Sequence, residues 1–323
     1  MKVLVVGGAG FIGSHMLKML HKSGIHATCL DDLSTGYREA VRYGTLVEMD
    51  LAHAAAIEKF FAENSFDVVM HFASFIQVGE SVLDPAKYYQ NNFINTKNLL
   101  DAMIIHNVNN FIFSSTAAIY GDPQYTPINE IHPKHPVNPY GRSKWMVEQM
   151  LEDYDRAYGL KSITLRYFNA AGADPDGELA ERHIPETHLI PIILRVAAGK
   201  SPHLQIFGSD YDTPDGTCIR DYVHVEDLCS AHLLAIEKLL SEKKSRQYNL
   251  GNGQGFSVKE VVEEAGRITK RPIAVLVSAR RPGDVPVLVA EASLARTELN
   301  WHPQYSSLGD MVAHAWAANK KLS

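Results

Sequence analysis

Apolar residues run along this chain in two alternating rhythms. Lys2, Val3, Leu4, Val5 and Val6 form a continuous β-rich run, which breaks at a glycine cluster and gives way to Phe11, Met16, Leu17 and Leu20 at helical spacing. The pair then repeats. Residues 27–30, 45–49, 67–72, 110–114 and 162–167 read as strands, and residues 53–63, 85–106 and 140–158 as helices between them. Between Gly121 and Tyr140 lie Pro123, Pro127, Pro133, Pro136 and Pro139, which exclude a helix and deliver the chain to the one that starts at Tyr140. Strand and helix in regular alternation predict a parallel sheet wound in both directions through right-handed crossovers.

After residue 170 the rhythm changes. A helix is expected at 189–198, a short strand at 204–207 and an aspartate-rich turn at 210–216; Arg220 to Val225 then leads back toward the first half, followed by helices at about 226–240 and 258–269 and a last one from Ser307. The expected class is α/β: a Rossmann-type, doubly wound parallel sheet with a smaller C-terminal α/β lobe. Residues 1–170, with return passages near 217–255, make the nucleotide-binding part, and residues 171–323 the substrate lobe. No internal repeat or low-complexity segment interrupts this plan.

Composition narrows the setting. The 323 residues can bury a real core, and 46% hydrophobic residues is ordinary for a globular protein. A net charge of −6 with pI about 6.2 supplies no basic field for nucleic acid, and no apolar run reaches the length of a membrane span. The glycines that end the first apolar run mark it as a strand and not a signal peptide. Cys29, Cys218 and Cys229 are odd in number and lack Cys-x-x-Cys spacing, so structural disulfides are not expected and the cytoplasm is the expected compartment. His132 and His135 sit in a loop between prolines with no carboxylate on a shared helical face, so no metal site is expected.

The glycine cluster carries the first chemistry. In Gly7-Gly8-Ala9-Gly10-Phe11-Ile12-Gly13, Gly7 permits a tight turn, Gly10 lets backbone approach a pyrophosphate and Gly13 allows close helix packing, with the helix N-terminus facing the anion. Asp31 ends the next strand, eighteen residues past the last of these glycines. A carboxylate there suits ribose hydroxyls and repels the extra phosphate of NADP, which makes NAD the expected cofactor. The bland alternative is that Asp31 and Asp32 cap the turn through Leu33, Ser34, Thr35 and Gly36. Further cofactor contacts are expected at strand ends: Asp50 and Leu51 near the adenine, Phe72, Ala73, Ser74 and Ile76 after the fourth strand, Asn91 on the following helix, Thr116 after the fifth strand and Phe168 after the sixth.

Tyr140 and Lys144 stand four residues apart on one helical face. A phenol is a poor base at neutral pH, but a neighbouring ammonium and a cationic nicotinamide ring both favour phenolate, and lowering its pKa by about three units takes roughly 4 kcal/mol. With 14 tyrosines, such a pair arises by chance about 0.7 times in a chain of this length, so its meaning depends on its neighbours.

Those neighbours are Gly-Gly-Ala-Gly-Phe-Ile-Gly, His71-Phe72-Ala73 with Val78-Gly79-Glu80-Ser81, Leu165-Arg166-Tyr167-Phe168-Asn169, Arg220-Asp221-Tyr222-Val223-His224-Val225 and Arg281-Pro282-Gly283-Asp284. Over almost its whole length the chain resembles the UDP-glucose 4-epimerase branch of the extended short-chain dehydrogenase/reductase family. The resemblance implies interconversion of UDP-galactose and UDP-glucose through transient oxidation at sugar carbon 4, with NAD that stays bound. It implies Tyr140 as the base, Lys144 on the nicotinamide ribose and Thr116 on the same sugar oxygen. Arg220 and Arg281 suit the diphosphate as forked donors, and Asp284 a nucleoside hydroxyl. Asn169, Leu189, Gln205 and Phe207 match family positions around the sugar and uridine. A homodimer formed through helices 85–106 and 140–158 is implied as well.

Two departures qualify the likeness. Where many relatives carry Gly-Leu-Lys after His-Phe-Ala, this chain has Ser74-Phe75-Ile76 and lacks that lysine. Leu288 occupies a position where a tyrosine is associated with exclusion of N-acetylated sugars, so activity on UDP-N-acetylglucosamine is expected. A 4,6-dehydratase needs an acid/base pair after the threonine, where this chain has Ala117-Ala118. A 4-epimerase of UDP-glucuronate or a UDP-pentose, or a non-catalytic NAD-binding protein on the same fold, stays open at this point.

Overall fold

The computed structural model describes residues 1–281 and 284–321; Pro282 and Gly283 of the Arg-Pro-Gly-Asp motif lie outside the described residues. The first strands are β1 (Lys2–Val6), β2 (His26–Asp31), β3 (Thr45–Glu48), β4 (Val68–His71), β5 (Asn110–Thr116) and β6 (Lys161–Tyr167). They continue with β7 (Asn169–Ala171), β8 (Leu204–Phe207), β9 (Ile219–His224), β10 (Arg246–Leu250), β11 (Gly255–Ser257), β12 (Val275–Ser278) and β13 (Val287–Leu288). The main sheet runs β10-β6-β5-β4-β1-β2-β3, every neighbouring pair parallel. The doubly wound class is the one expected.

The alternation within β1 shows why this sheet is covered on both faces. Val3 and Val5 join a core with Met16, Leu17 and Leu20 of helix Phe11–Lys22 and with Leu228, Ile236 and Leu239 of helix Val225–Glu242. Leu4 and Val6 point the other way, into a core with Ile57, Phe61, Leu99 and Met103. A strand with period-two side chains and no polar face can be stable only when both faces are dry. The neighbours of β1 fix the site: β2 follows β1 on one side and β4 lies on the other, so the strand order reverses there, the switch point at which such sheets open a crevice at the carboxyl ends.

The second lobe has its own core, in which Ile190, Ile193 and Leu194 meet Val261, Ala265, Met311 and Val312. Helix Val258–Thr269 therefore packs in that core. Conversely β10 pairs with β6 residue by residue from Arg246↔Ile163 to Leu250↔Tyr167, completing the cofactor sheet from chain that follows the substrate lobe's first elements. Asp221 ties the passages together. Its buried carboxylate accepts the N–H groups of Asn252 (2.8 Å), Gly253 (3.0 Å) and Ala290 (3.1 Å).

Two local expectations are corrected. The fifth strand extends beyond residue 114 to Thr116, held by parallel pairing through Thr116↔Tyr167. Residues 85–106 do not form one helix: helix Pro85–Tyr88 passes through a π-helical turn at Tyr89–Ile94 into helix Asn95–Ile105. The wide turn brings in Asn92, buried to 2%, whose amide accepts from Phe75 N–H (2.9 Å) and donates to the Phe75 carbonyl (3.0 Å) and Ser143 Oγ (3.1 Å). A π-turn costs helical regularity, which this set of bonds offsets.

Candidate active site

The glycine turn sits at the switch point. Gly7 has φ +81°, and a Cβ there would lie 2.3 Å from the Ala73 nitrogen, so the turn is pressed against the end of β4 and only glycine fits. A Cβ on Gly13 would lie 2.2 Å from the Gly7 carbonyl oxygen, which explains the second obligatory glycine. Gly10 differs, because a Cβ there would meet only the Gly7 oxygen at 3.5 Å. It caps helix Phe11–Lys22 without any side-chain hydrogen bond, and the first turn contains no acidic residue. The N–H groups at this end thus have no side-chain cap and no acidic neighbour in the turn, and the helix dipole there suits a pyrophosphate.

Asp31 and Asp32 separate into distinct roles. Asp31 is buried at the end of β2 and accepts Ala9 N–H (2.9 Å) on one oxygen and Leu33 N–H (2.9 Å) on the other, which docks the second strand onto the glycine turn. Burial pushes its carboxyl pKa up, opposed by those two donors. Each carboxylate oxygen keeps lone-pair capacity for a ribose hydroxyl. Asp32 is exposed and caps the turn through Ser34 N–H and Oγ, the bland reading. Gly36 closes on Ala9, with Tyr37 N–H bonded to the Ala9 carbonyl at 3.1 Å, so segment 33–36 rims the same cradle.

Among the remaining cofactor candidates, Phe72 N–H (2.7 Å) and Ala73 N–H (3.2 Å) both bond the Val6 carbonyl, which places residues 72–73 directly at the glycine turn. Ser74 Oγ bonds the Phe75 carbonyl and Asn91 donates to Asn92. Asp50 caps its own turn through Ala52 N–H, and buried Leu51 is fixed by Asn98 on its carbonyl. Ile76 is half exposed at the mouth.

The chemistry-bearing residues converge from two elements. Thr116 ends β5, its hydroxyl accepting Ala118 N–H (3.1 Å) and lying near enough to the Tyr140 phenol to hold its pKa down in part. Asn138 caps helix Pro139–Tyr158 by accepting Gly141 N–H (2.8 Å), with Pro139 preset in the first turn, so the proline loop hands Tyr140 to the cleft at a fixed angle. Lys144, 3% exposed, donates to the Ser114 carbonyl (2.8 Å) and lies 4.9 Å from the Phe113 ring centre.

The electrostatics of this pair follow from the dryness of the cleft. Removal from water pulls the Lys144 ammonium down to about 7, with Glu148 one turn away pulling the other way. The same dryness pushes the Tyr140 phenol up, opposed only in part by Thr116. Tyrosine and lysine alone therefore leave the phenol protonated; activation needs a positive charge delivered into the cleft.

The helix is fastened from behind by residues absent from the sequence reading's roles. Arg166, fully buried on β6, bonds Glu148 at 2.6 Å and Tyr120 at 3.0 Å, while Ser115 donates to Glu148 at 2.5 Å. The Arg-Tyr-Phe-Asn run gave the signal, since a buried arginine demands an anion.

The substrate-side residues gather around β9. Leu288 pairs with Arg220 in register, and Asn169 pairs with Tyr222. Leu288 and Phe168 pack on Ala117, Ile119, Tyr120 and Ile128, the cluster that directly follows Thr116, so the second lobe meets the catalytic strand end there. Arg220 and Arg281 both reach Asp284, at 3.8 Å and 2.9 Å, and the Arg281 guanidinium lies 4.8 Å from the Phe207 ring centre. Gln205 donates to Ser278 Oγ (2.6 Å), and half-buried Leu189 begins helix Leu189–Ala197.

The expectation of no metal site rests on His132 and His135. His132 is spent on structure, accepting Gln124 N–H at 3.0 Å in a buried loop. Another group does converge: Glu181, His183, Glu186 and His188 bring ligand atoms within 4.8 Å of one another. Their Glu-x-His-x-x-Glu-x-His spacing was the available signal.

A glycine turn at a switch point, with a buried tyrosine and lysine one helical turn apart beside a neighbouring strand end, is the arrangement that the short-chain dehydrogenase/reductase class shares. The comparisons agree with that class and narrow it. The model of the NAD dependent epimerase/dehydratase family matches residues 3–251, and the chain belongs to that family. It is 48% identical over 321 residues to a UDP-glucose 4-epimerase of Halalkalibacterium halodurans, covering 99% of this chain and 96% of that one. A crystal structure of UDP-glucose 4-epimerase from Brucella ovis in complex with NAD superposes with TM-score 0.95 at 50% identity, covering 98% of this chain and 97% of the other. The UDP-Glc/GlcNAc 4-epimerase of Campylobacter jejuni superposes with TM-score 0.87 at 44% identity, covering 99% of both chains.

Proposed function

We propose that the protein is a UDP-glucose 4-epimerase that interconverts UDP-galactose and UDP-glucose with NAD held throughout. What supports this reading is that Thr116 at the carboxyl end of β5 neighbours Tyr140, that Lys144 is anchored on the same strand, and that Ala117 and Ala118 stand where a dehydratase requires an acid and a base. When bound, NAD supplies the acceptor, and then the donor, of the hydride on sugar carbon 4. Tyr140 takes the proton of the 4-hydroxyl as that hydride leaves and returns it afterwards. Thr116 holds the same oxygen and orients its proton. Lys144, anchored on the Ser114 carbonyl, binds the nicotinamide ribose and supports the phenolate. Water is kept out by the Leu288, Phe168 and Ile119 contact, so the 4-ketose can turn over without loss.

Arg220 and Arg281 hold the diphosphate and Asp284 a nucleoside hydroxyl; Asp284 keeps both guanidinium groups aligned until then. Asn169, Leu189, Gln205 and Phe207 complete the sugar and uridine contacts. Leucine at 288 leaves room for an N-acetyl group, and the dual-specificity relative supports activity on UDP-N-acetylglucosamine. The working form is a homodimer in the cytoplasm. The free buried cysteines support that compartment, and among the described residues no helix is long and apolar enough to cross a membrane.

The test is incubation of purified protein, without added NAD, with a panel of UDP-sugars, the products resolved by chromatography. UDP-galactose and UDP-glucose should interconvert. The Tyr140→Phe variant should lose at least about 10²-fold in kcat while retaining its NAD. Wild-type turnover in that variant would remove the mechanism.

A further inference from the structure

Glu181, His183, Glu186 and His188 lie in the irregular segment 172–188 between β7 and helix Leu189–Ala197. The two carboxylate side chains are 7% and 4% exposed and the imidazoles 21% and 36%. Both Nδ1 atoms point inward. His188 Nδ1 lies 2.8 Å from Glu181 and 3.0 Å from Glu186, and His183 Nδ1 lies 3.4 Å and 3.5 Å from the same two residues. The ring centres are 5.0 Å apart.

A hydrogen-bonded knot of two histidines and two glutamates accounts for this only in part. An imidazole Nδ1–H carries one hydrogen, yet each Nδ1 faces two oxygens from different residues, and His183 Nδ1 is buried without forming any hydrogen bond. A cation in the middle satisfies all four groups at once. For metal–ligand bonds of about 2.0–2.2 Å, the edge of a tetrahedron is about 3.3–3.6 Å, which the two His183 separations match, while the two His188 separations are shorter and would open on binding. We propose that these residues bind a single zinc ion.

The donor set selects the metal. Two nitrogens and two carboxylate oxygens suit zinc, whereas calcium and magnesium take oxygen shells. Four protein ligands close the coordination sphere, which makes the ion structural, with no open position for substrate. The outer contacts fit as well: Glu186 Oε1 accepts the backbone N–H groups of Thr187 and His188, both at 2.8 Å, which fixes that carboxylate.

The ion fastens a strap between the two halves. Arg182, between the ligands, pairs with Glu39 at 3.0 Å and stacks 4.0 Å from the Tyr37 ring centre, on the rim of the cofactor cradle. Upstream, Glu178 meets Tyr43 (2.7 Å) and Asp174 meets Lys18 (2.7 Å). Downstream, His188 directly precedes Leu189. Zinc therefore positions the approach to the nucleotide-sugar side and takes no part in hydride transfer.

The test is elemental analysis of the holoenzyme purified without an affinity metal and passed through metal-free buffer. About one zinc per chain is expected, and chelation should lower Tm by about 5 °C, restored by zinc but not by magnesium. Cobalt added after chelation should give the visible absorption of a tetrahedral site. His183→Asn and Glu186→Gln should each cut zinc content at least tenfold, whereas His53→Ala, on an exposed residue elsewhere, should not. If the wild-type protein carries no zinc and its Tm ignores added zinc, or if both ligand variants keep full zinc content, the site does not exist. Because these readouts are metal content and melting, they stand apart from success or failure of the proposed sugar activity.

Discussion

Tyr140 and Lys144 are each other's partners in sequence, but the structure shows that neither is charged to order by the other. In the cofactor-free protein Lys144 releases its proton at about 7 instead of its ordinary 10.5. Between those values the unfolded chain holds a proton that the folded chain has released, so unfolding takes one up and stability rises with pH. Denaturant midpoints of cofactor-free protein should climb from about pH 7 to about pH 9, by up to ~1.4 kcal/mol per unit, and Lys144→Met should abolish the climb. A flat profile in the wild type would contradict the buried, weakly basic lysine. At Leu288 the argument is one of volume. Leu288→Tyr should reduce kcat/KM for UDP-N-acetylglucosamine at least about tenfold and leave UDP-galactose within about threefold, measured side by side.

At the scale of elements, the catalytic helix is only as well aimed as its fastening. Glu148 on helix Pro139–Tyr158 is held by Arg166 from β6 and Ser115 from β5, all in a dry interior. Arg166→Met leaves Glu148 buried without its cation and should cost about 3–5 kcal/mol, read as a fall in denaturant midpoint; Arg166→Met with Glu148→Leu should recover much of it. This also shows where sequence reading reaches and stops. Glycine spacing, strand ends and the Tyr/Lys interval are local patterns with fixed geometry, so the glycine turn at the end of β1 and the buried Tyr140–Lys144 face were legible. The π-turn that turns Asn92 toward Phe75 and Ser143 was not, because a 22-residue helical pattern at 85–106 hides a single extra residue per turn. The pairing of β10 with β6, strand by strand, is beyond a local pattern for another reason. Periodicity gives an element's type, and only long-range packing gives its address.

For the whole molecule, the exposed apolar residues are unevenly placed. Ile94, Ile105 and Tyr158 are uncovered on the helices from which the proposed dimer would be built, and Val82 and Leu83, 60% and 87% exposed, lie on the short helix Val78–Leu83 that leads into the first of them. Sedimentation should show a dimer at micromolar concentration, and Leu83→Glu should shift it toward monomer at least about tenfold in Kd. An all-monomer wild type would oppose the proposal.

The order β10-β6-β5-β4-β1-β2-β3 carries one more consequence, because its outermost strand is supplied by residues 246–250. A gene fragment stopping at residue 170 would leave β6 as a bare, apolar edge and would lack the whole Asp221 clasp, acceptor and donors alike. Neither half can be cut free and shuffled into another protein as a cassette: the two lobes are sewn by one thread and should melt together.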